Sequence, residues 1–178
     1  DSATRGAALA FLPFVMVAKD MTPVQVTGML FFLFLGGAIG KYVVGLLGER
    51  FGAVSLIWGT KGMTALLLIS ALTVPPLGMI PLMLILGVGL NGTSSALYAA
   101  VADFVPAHRR ARLFGVFYTT NEVGTVLAPI IYGVIADAYS LSTTMVVMGL
   151  ATSAILPASL ALRPHLSEAK ASERERVD

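Results

Sequence analysis

Residues 45–52 read GLLGERFG, and in them an acid, Glu49, and a base, Arg50, stand side by side between glycines. Both flanks are apolar: MLFFLFLGGAIGKYVV occupies residues 29–44 and MTALLLISALTV occupies residues 63–74. Charged side chains are costly in the core of a bilayer, whereas the polar edge of a membrane tolerates them. The stretch therefore predicts the end of one membrane span and the beginning of the next, if the rest of the chain is apolar enough to lie in a membrane.

The composition of the chain is that of a membrane protein. Of its 178 residues, 56% are hydrophobic and 12% are charged, which is about half the charged share of an ordinary soluble domain. The mean hydropathy is +0.83. The net charge of +2 does not indicate a nucleic-acid partner, because the basic residues lie in short hydrophilic breaks. The chain has no cysteine, which excludes disulfides and thiolate chemistry, and we expect no metal site and no cofactor.

Six apolar runs have lengths near the 20 or so residues that cross a bilayer. We predict helices 1 to 6 at residues 2–18, 23–48, 53–74, 77–105, 112–136 and 141–162. The prolines of TVPPLG, residues 73–78, end the third helix, since proline cannot donate to the helical hydrogen-bond ladder. The first run is short and the chain opens at Asp1, so we interpret the chain as a fragment whose first helix lacks its beginning.

Arginine sets the orientation of these helices, because it fills every second break and the tail. The arginines concerned are Arg50, Arg109, Arg110, Arg112, Arg163, Arg174 and Arg176. The remaining breaks hold one lysine beside Asp20, no charge, and Asp137, respectively. By the positive-inside rule, the arginine-bearing breaks and the C-terminus are cytoplasmic. We assign residues 1–165 to a six-helix transmembrane unit and residues 166–178 to a cytoplasmic tail.

An internal repeat relates the two halves of this unit. A shift of 88 residues places GLLGERF on GVIADAY. The matched pairs are Gly36 with Gly124, Gly45 with Gly133, Gly48 with Ala136, Glu49 with Asp137 and Phe51 with Tyr139. Three helices separate the copies, so the second copy crosses the membrane in the opposite direction. Inverted repeats of three helices are typical of secondary transporters, although the glycine bias of packed membrane helices is an alternative source of such matches.

The stretch GLLGERFG resembles the loop signature G-x-x-x-D-R/K-x-G-R-R/K of the major facilitator superfamily, which follows the second helix of each six-helix half. Here glutamate replaces the usual aspartate, and Ala53 and Val54 stand at the basic pair. ADFVPAHRRARLFGVF at residues 102–117 resembles the family's loop between helices 10 and 11. GTVLAPIIYG at residues 124–133 resembles its glycine–proline helix. The resemblance covers residues 30–165.

The resemblance implies an all-α membrane protein, with six transmembrane helices in two inverted three-helix repeats that form half of the family's fold. A reduced loop signature is typical of the C-terminal half, so the six spans correspond to helices 7–12 of a twelve-helix transporter.

The resemblance also implies a conformational latch at the cytoplasmic edge. In the family, the base of the signature pairs with an acid at the cytoplasmic end of the fourth helix of the same half, which is the place of Asp103 here. We expect Arg50 and Asp103 to pair, with Glu49 near a helix end and Gly45 and Gly52 in the signature turn. A turn whose charges only set the topology is the alternative.

Small residues predict close helix packing that forms and breaks as rigid bodies rock. The positions concerned are Gly37 and Gly48 in helix 2, with Gly36 and Gly40 beside them, and Gly124, Pro129 and Gly133 in helix 5.

The ionisable residues Lys41, Lys61 and Glu122 lie deep inside the predicted spans. The third helix of each repeat is peripheral in the family, so we expect Lys61 to extend its ammonium group toward the cytoplasmic headgroups. Lys41 either lines the cavity or has a structural role. Glu122, in the polar patch YTTNE with Tyr118 and Asn121, is the leading candidate for a proton or cation site. A structural hydrogen bond or a pairing with Lys41 is the alternative for this acid.

Helix 4 carries NGTSS at residues 91–95. Asn91 is a candidate substrate contact, because this helix lines the central cavity in the family, and an interhelical hydrogen bond is equally compatible with it. Ser94 follows a glycine and a threonine in a run that looks like a nucleophile motif. An intramembrane serine protease needs a histidine inside a later helix, whereas His108 lies in a loop and His165 in the tail.

Together these features predict a secondary active transporter of small solutes that works by alternating access, and not an enzyme. We expect proton coupling and drug or metabolite efflux, with uptake of organic solutes as the alternative. The expected partners are a small-molecule substrate, protons, the lipid bilayer, and either a missing N-terminal half of the same chain or a second copy. The expected location is the plasma (inner) membrane, as a multi-pass protein with a cytoplasmic C-terminus.

Overall fold

A computed structural model of the chain describes residues 2–51, 53–104 and 109–160. In chain order the elements are α1 (Ser2–Val17), α2 (Pro23–Phe51), α3 (Ala53–Ser70), a 3₁₀ turn (Pro76–Gly78), α4 (Met79–Phe104), α5 (Arg110–Ala138), α6 (Leu141–Ser153) and α7 (Ile155–Leu160). All six predicted helices are present, and within the described ranges no strand occurs. The sixth is divided into α6 and α7 just before Pro157, which cannot supply the backbone hydrogen bond that would continue the helix.

Local sequence explains how two of the helices begin. Before α2, the backbone N–H of Thr22 donates to Gln25 Oε1 at 2.8 Å, and the N–H of Gln25 donates to Thr22 Oγ1 at 3.4 Å. This reciprocal pair is a capping box, which satisfies two N–H groups that lack helical partners. Before α6, Ser140 Oγ accepts from the N–H of Thr143 at 3.1 Å. Polar residues at these two positions therefore set the boundaries.

A lysine ties the α1–α2 connection to the segment that follows α3. Lys19 Nζ donates to the carbonyl oxygens of Leu72 and Val74, each at 2.8 Å. Carbonyls just past the end of a helix have no partner within it, and a lysine head group satisfies them well. The bond holds two neighbouring connections together at the same end of the bundle.

The helices pack in a pattern with an internal symmetry. The most extensive contacts are those of α2 with α4 and of α1 with α5, and α3 also packs against both α4 and α6. Exchanging the first three helices with the last three turns the α2–α4 contact into the α5–α1 contact and leaves the α3–α6 contact in place. Two three-helix repeats of opposite direction are expected to pack in this way.

Two hydrogen bonds between buried threonine hydroxyls follow the same exchange. Thr4 Oγ1 and Thr152 Oγ1 lie 3.2 Å apart and join α1 to α6. Thr93 Oγ1 donates to Thr60 Oγ1 at 2.7 Å and joins α4 to α3. The exchange converts α1–α6 into α4–α3, so equivalent helix pairs carry the same kind of bond. Each such bond between membrane helices contributes about 0.6 kcal/mol on average.

Glycines bring the backbones of α2 and α4 into direct contact. A Cβ added to Gly36 would collide with the carbonyl oxygen of Leu84, and a Cβ added to Gly87 would collide with that of Leu33. Small residues at helix crossings in membranes allow this close approach. The structure thus places the glycine-rich side of α2 in a contact inside the six-helix unit, against one of the unit's own helices.

The described helices differ in whether they are long enough to cross a bilayer. By length and hydropathy alone, the segments Pro23–Gly48 and Pro76–Ser94 could span a membrane. The segments Ser2–Val17, Ser55–Ser70 and Leu141–Pro157 are apolar but shorter. Large apolar side chains are exposed in numbers along α2 and α5, and an exposed apolar face of this extent needs lipid or another protein segment to cover it.

Candidate functional site

A groove runs along the outer side of α5, and we call it the α5 groove. Its volume is about 560 Å³, and its lining residues are Tyr118, Thr119, Glu122, Val123, Val126 and Leu127. The volume lies within the range of about 300–1,000 Å³ that is typical of small-molecule sites. The walls are apolar, and a few polar groups stand among them.

Helical spacing explains why these side chains share one face. Tyr118, Glu122 and Val126 follow one another at intervals of four residues, and such side chains lie one above the other on a helix. The second row of lining residues follows the first at the next position along the chain. Tyr118 is 47% exposed and Val126 is 64% exposed. The groove is therefore an open face of α5 and not a space between helices of this unit.

Aromatic rings extend the groove toward the first turns of α5. The ring centroids of Phe114 and Tyr118 lie 6.3 Å apart at an interplanar angle of 36°. Those of Phe117 and Tyr118 are also 6.3 Å apart, in an edge-to-face arrangement at 75°. Such geometries are favourable for aromatic pairs, so Tyr118 is held between two neighbours at one end of the groove.

Not every residue of the polar patch YTTNE reaches the groove. Asn121 is partly buried and does not line it. Consecutive residues on a helix point about 100° apart, which places Asn121 on the side of α5 that turns away from Glu122. Helices α2 and α5 are not among each other's main packing partners. The pairing of Glu122 with Lys41 stays a prediction. The side chain of Lys41 is exposed on α2.

Asn91 lies in the contact between α2 and α4. Its Nδ2 donates to the carbonyl of Gly87 at 3.4 Å. A Cβ added to Gly37 would lie 3.0 Å from Asn91 Cγ, so Gly37 provides the space that the asparagine fills. A role of Asn91 in substrate binding stays a prediction.

The predicted latch falls largely outside the described residues. Gly52 is not described, and the side chains of Glu49 and Asp103 are not described either, although both residues lie in helices. Arg50 is exposed in the last turn of α2. No atom lies within 4 Å of a Cβ added to Gly45. The latch therefore stays a prediction.

The other small residues singled out in the sequence have diverse surroundings. A Cβ on Gly124 would lie 3.7 Å from Ala3 Cβ in α1, and one on Gly48 would lie 3.9 Å from Leu56 Cδ1. Gly133 has no atom within 4 Å of an added Cβ. Pro129 lies inside α5. Of these residues, Gly124 lies between helices that the internal repeat brings together.

Lys61 departs from the expectation that its ammonium group extends toward the headgroups. The side chain is fully buried, at 0% exposure, so the expectation is wrong. Its neighbour Thr60 bonds to Thr93 in α4, and Ala65, one turn further along α3, faces Gly149 in α6. The family's third helix is thus enclosed here on the side that carries Lys61.

Four groove residues escaped the sequence analysis: Thr119, Val123, Val126 and Leu127. The signal that would have found them is helical spacing: Val126 lies four residues after Glu122, and Thr119, Val123 and Leu127 form a second row at the same interval of four. Within the described residues, no group of three or more histidine, cysteine or acidic side chains could hold a metal ion.

Comparison with known proteins gives both a family and two curated relatives. The family model described as the Major Facilitator Superfamily matches residues 1–177. A protein named gentisate transporter from Corynebacterium glutamicum is 34% identical over 125 residues, which cover 70% of this chain and 28% of that protein. A protein named 3-(3-hydroxy-phenyl)propionate transporter from Escherichia coli K12 is 29% identical over 154 residues, covering 85% of this chain and 38% of that protein.

The chain thus spans about a third of the length of these relatives. No solved structure matches it.

Proposed function

The chain belongs to the major facilitator superfamily, and we propose that it forms the C-terminal six-helix half of a secondary active transporter for aromatic carboxylates. It is a transporter of the plasma membrane and not an enzyme, in keeping with its relatives. The observation that carries the proposal is the α5 groove, which combines aromatic and aliphatic walls with one acid. The alternative of an intramembrane protease is not favoured.

The substrate class follows from the relatives and from the lining of the groove. Gentisate and 3-(3-hydroxyphenyl)propionate, the compounds in the relatives' names, each consist of one aromatic ring with a carboxylate. An apolar wall beside an aromatic cluster suits such a ring. Of the two solute classes expected from the sequence, these observations favour organic acids over drugs.

Proton coupling is assigned to Glu122. Among the acids with described side chains, Glu122 lies inside a helix and lines the groove, whereas Asp20 and Asp137 stand at helix ends. Acids within membrane spans are the usual proton carriers of transporters. An ionised Glu122 repels a carboxylate substrate and a protonated one does not. Protonation and substrate binding therefore favour one another.

The exposed apolar faces of α2 and α5 support the other half of the same chain as the partner. The relatives are about three times as long as the matched region, which leaves room for six further helices. In this arrangement the second half covers part of α5 and encloses the α5 groove. The loops that carry arginine and the C-terminus face the cytoplasm, as the positive-inside rule predicts.

Uptake by the full-length transporter in proteoliposomes tests the function. An inside-alkaline pH gradient is expected to drive accumulation of labelled 3-hydroxybenzoate, and collapse of the gradient with a proton ionophore is expected to release it. Empty liposomes serve as the control. Absence of uptake of every aromatic carboxylate tested, with uptake of a cationic drug instead, would overturn the proposal.

The proposed latch is tested by charge exchange in the same assay. Arg50→Asp and Asp103→Arg are each expected to slow uptake about tenfold or more, because each leaves two like charges at the cytoplasmic edge. The double variant is expected to recover most of the rate. A double variant as slow as the slower single one would show that the two residues do not pair.

A further inference from the structure

We infer that the α5 groove binds the ring hydroxyl of the substrate through hydrogen bonds, while the carboxylate of the substrate lies outside the groove. The inference deepens the proposed function and rests on it. It adds that the transporter selects hydroxylated aromatic acids over plain ones, and it names Thr119 and Glu122 as the groups that make this selection.

The hydrogen-bonding capacity of the groove is the first support. Thr119 Oγ1 donates its single hydrogen to the carbonyl of Gly115 at 2.9 Å, so toward the groove it can only accept. Glu122 accepts with both oxygens when ionised; when protonated it can donate through its O–H and keeps one accepting oxygen. Tyr118 can donate or accept. The groove therefore offers hydrogen-bond acceptors in both protonation states of Glu122, and none of its lining residues offers a positive charge.

This capacity fits one end of a hydroxylated aromatic acid and not the other. A phenolic hydroxyl brings a donor, which an acceptor-rich surface satisfies. A carboxylate brings only acceptors and a negative charge, and none of the six lining residues is basic. A carboxylate in this groove would lose its hydration without gaining a counter-charge, and an ionised Glu122 would repel it. The end of the substrate that carries the ring hydroxyl therefore enters the groove.

The shape and apolar walls of the groove support the same orientation. Val123, Val126 and Leu127 form a wall without polar groups, against which a flat ring can pack. Tyr118, held by Phe114 and Phe117, offers an aromatic face at one end. A ring lying along α5 between these surfaces brings its substituent to Glu122 or Thr119, which are one helical turn apart or less.

The compounds in the relatives' names share the required feature. Gentisate and 3-(3-hydroxyphenyl)propionate both carry a ring hydroxyl at the position meta to the carbon that bears the acid-containing group. Neither name alone indicates which group of the transporter would recognise that hydroxyl. The donor–acceptor balance of the α5 groove supplies the answer.

Competition among three benzoates tests the inference on the wild-type, full-length transporter. Uptake of labelled 3-hydroxybenzoate is measured against unlabelled 3-hydroxybenzoate, 3-methoxybenzoate and benzoate. The methoxy compound keeps the ring oxygen but cannot donate. Because the substrate binds when Glu122 is protonated and uncharged, the lost hydrogen bond joins neutral groups, and both analogues without a donor are expected to compete about threefold to tenfold less well.

Matched variants of α5 then test which residues cause the preference for hydroxylated benzoates. Thr119→Val removes an acceptor of the groove and is expected to reduce the preference about threefold to tenfold. Thr120→Val is the control, because Thr120 Oγ1 makes the same bond, to the carbonyl of Val116 at 2.9 Å, without lining the groove. Glu122→Met removes the acid and is expected to abolish most of the preference, whereas Glu122→Gln keeps an accepting oxygen and retains it.

Each outcome of these measurements bears on the inference. Equal competition by the three benzoates, or equal losses in the Thr119 and Thr120 variants, would overturn it while leaving the proposed function intact. Transport of no aromatic carboxylate would overturn both. If the Glu122 variants are not produced in the membrane, the Thr119 and Thr120 pair and the wild-type ranking still decide.

Discussion

Replacing Glu122 by glutamine is expected to abolish proton-driven accumulation of substrate while substrate exchange across the membrane continues. Glutamine has nearly the shape of protonated glutamate, but it neither releases nor binds a proton. One pH unit is worth 1.36 kcal/mol per proton, so a one-unit gradient supports about a tenfold accumulation in a carrier that moves one proton with each substrate. In the Glu122→Gln transporter the ratio of internal to external substrate is expected to fall to about one.

Two assays on the same proteoliposomes separate these effects. Accumulation is measured with an imposed pH gradient, and exchange is measured without one, from labelled substrate inside to unlabelled substrate outside. Asp137→Asn is the matched control, because it removes an exposed acid from α5 away from the groove. Full accumulation by the Glu122→Gln transporter would remove Glu122 from the coupling mechanism, and loss of accumulation in the Asp137→Asn transporter would show that the effect is not specific to Glu122.

Alanine at Gly36 or Gly87 is expected to prevent stable folding of the transporter. A Cβ at Gly36 would occupy the position of the Leu84 carbonyl oxygen, and a Cβ at Gly87 that of the Leu33 carbonyl oxygen. Backbone atoms cannot rotate away, so α2 and α4 must separate along their whole contact. Overpacking of a tight core costs about 1–3 kcal/mol, occasionally more, and we expect about 3 kcal/mol or more here.

Thermal unfolding in detergent measures this cost. The Gly36→Ala and Gly87→Ala proteins are expected to unfold well below the wild type or to aggregate on size-exclusion chromatography. Gly28→Ala is the control on the same helix, because no atom lies within 4 Å of a Cβ at that position. Wild-type stability of both test variants would show that α2 and α4 are further apart than described.

The sequence predicted the order and bounds of the helices well, because their ends depend on local chemistry. Thr22 and Gln25 form a capping box, and α3 ends at Ser70, a few residues before the prolines of TVPPLG. Glycines with a shared spacing also pointed to a close helix contact. Which helix makes that contact with Gly36 depends on tertiary packing, and glycine spacing in one helix carries no information about its neighbour.

The candidate site was predictable in part for the same reason. A polar patch in an apolar span identified Tyr118 and Glu122 as candidates, because charge at that depth needs a function or a partner. The patch did not separate Asn121, which turns toward the interior, from Glu122, which faces the groove. The burial of Lys61 was not predictable, because a lysine that extends to the headgroups and one enclosed among helices have the same local sequence.

The central claim is that the α5 groove belongs to the substrate pathway, where water reaches it. Single-cysteine labelling tests this claim most directly. The chain contains no cysteine, so Val126→Cys introduces a unique thiol in this half once any cysteines elsewhere in the transporter are removed. Leu150→Cys in α6, which replaces a side chain of similar exposure, serves as the lipid-facing control.

The account predicts that a membrane-impermeant maleimide labels the cysteine at position 126, that 3-hydroxybenzoate slows this labelling, and that position 150 is not labelled. Equal resistance of both positions to the reagent, with and without substrate, would contradict it, since the α5 groove would then face lipid.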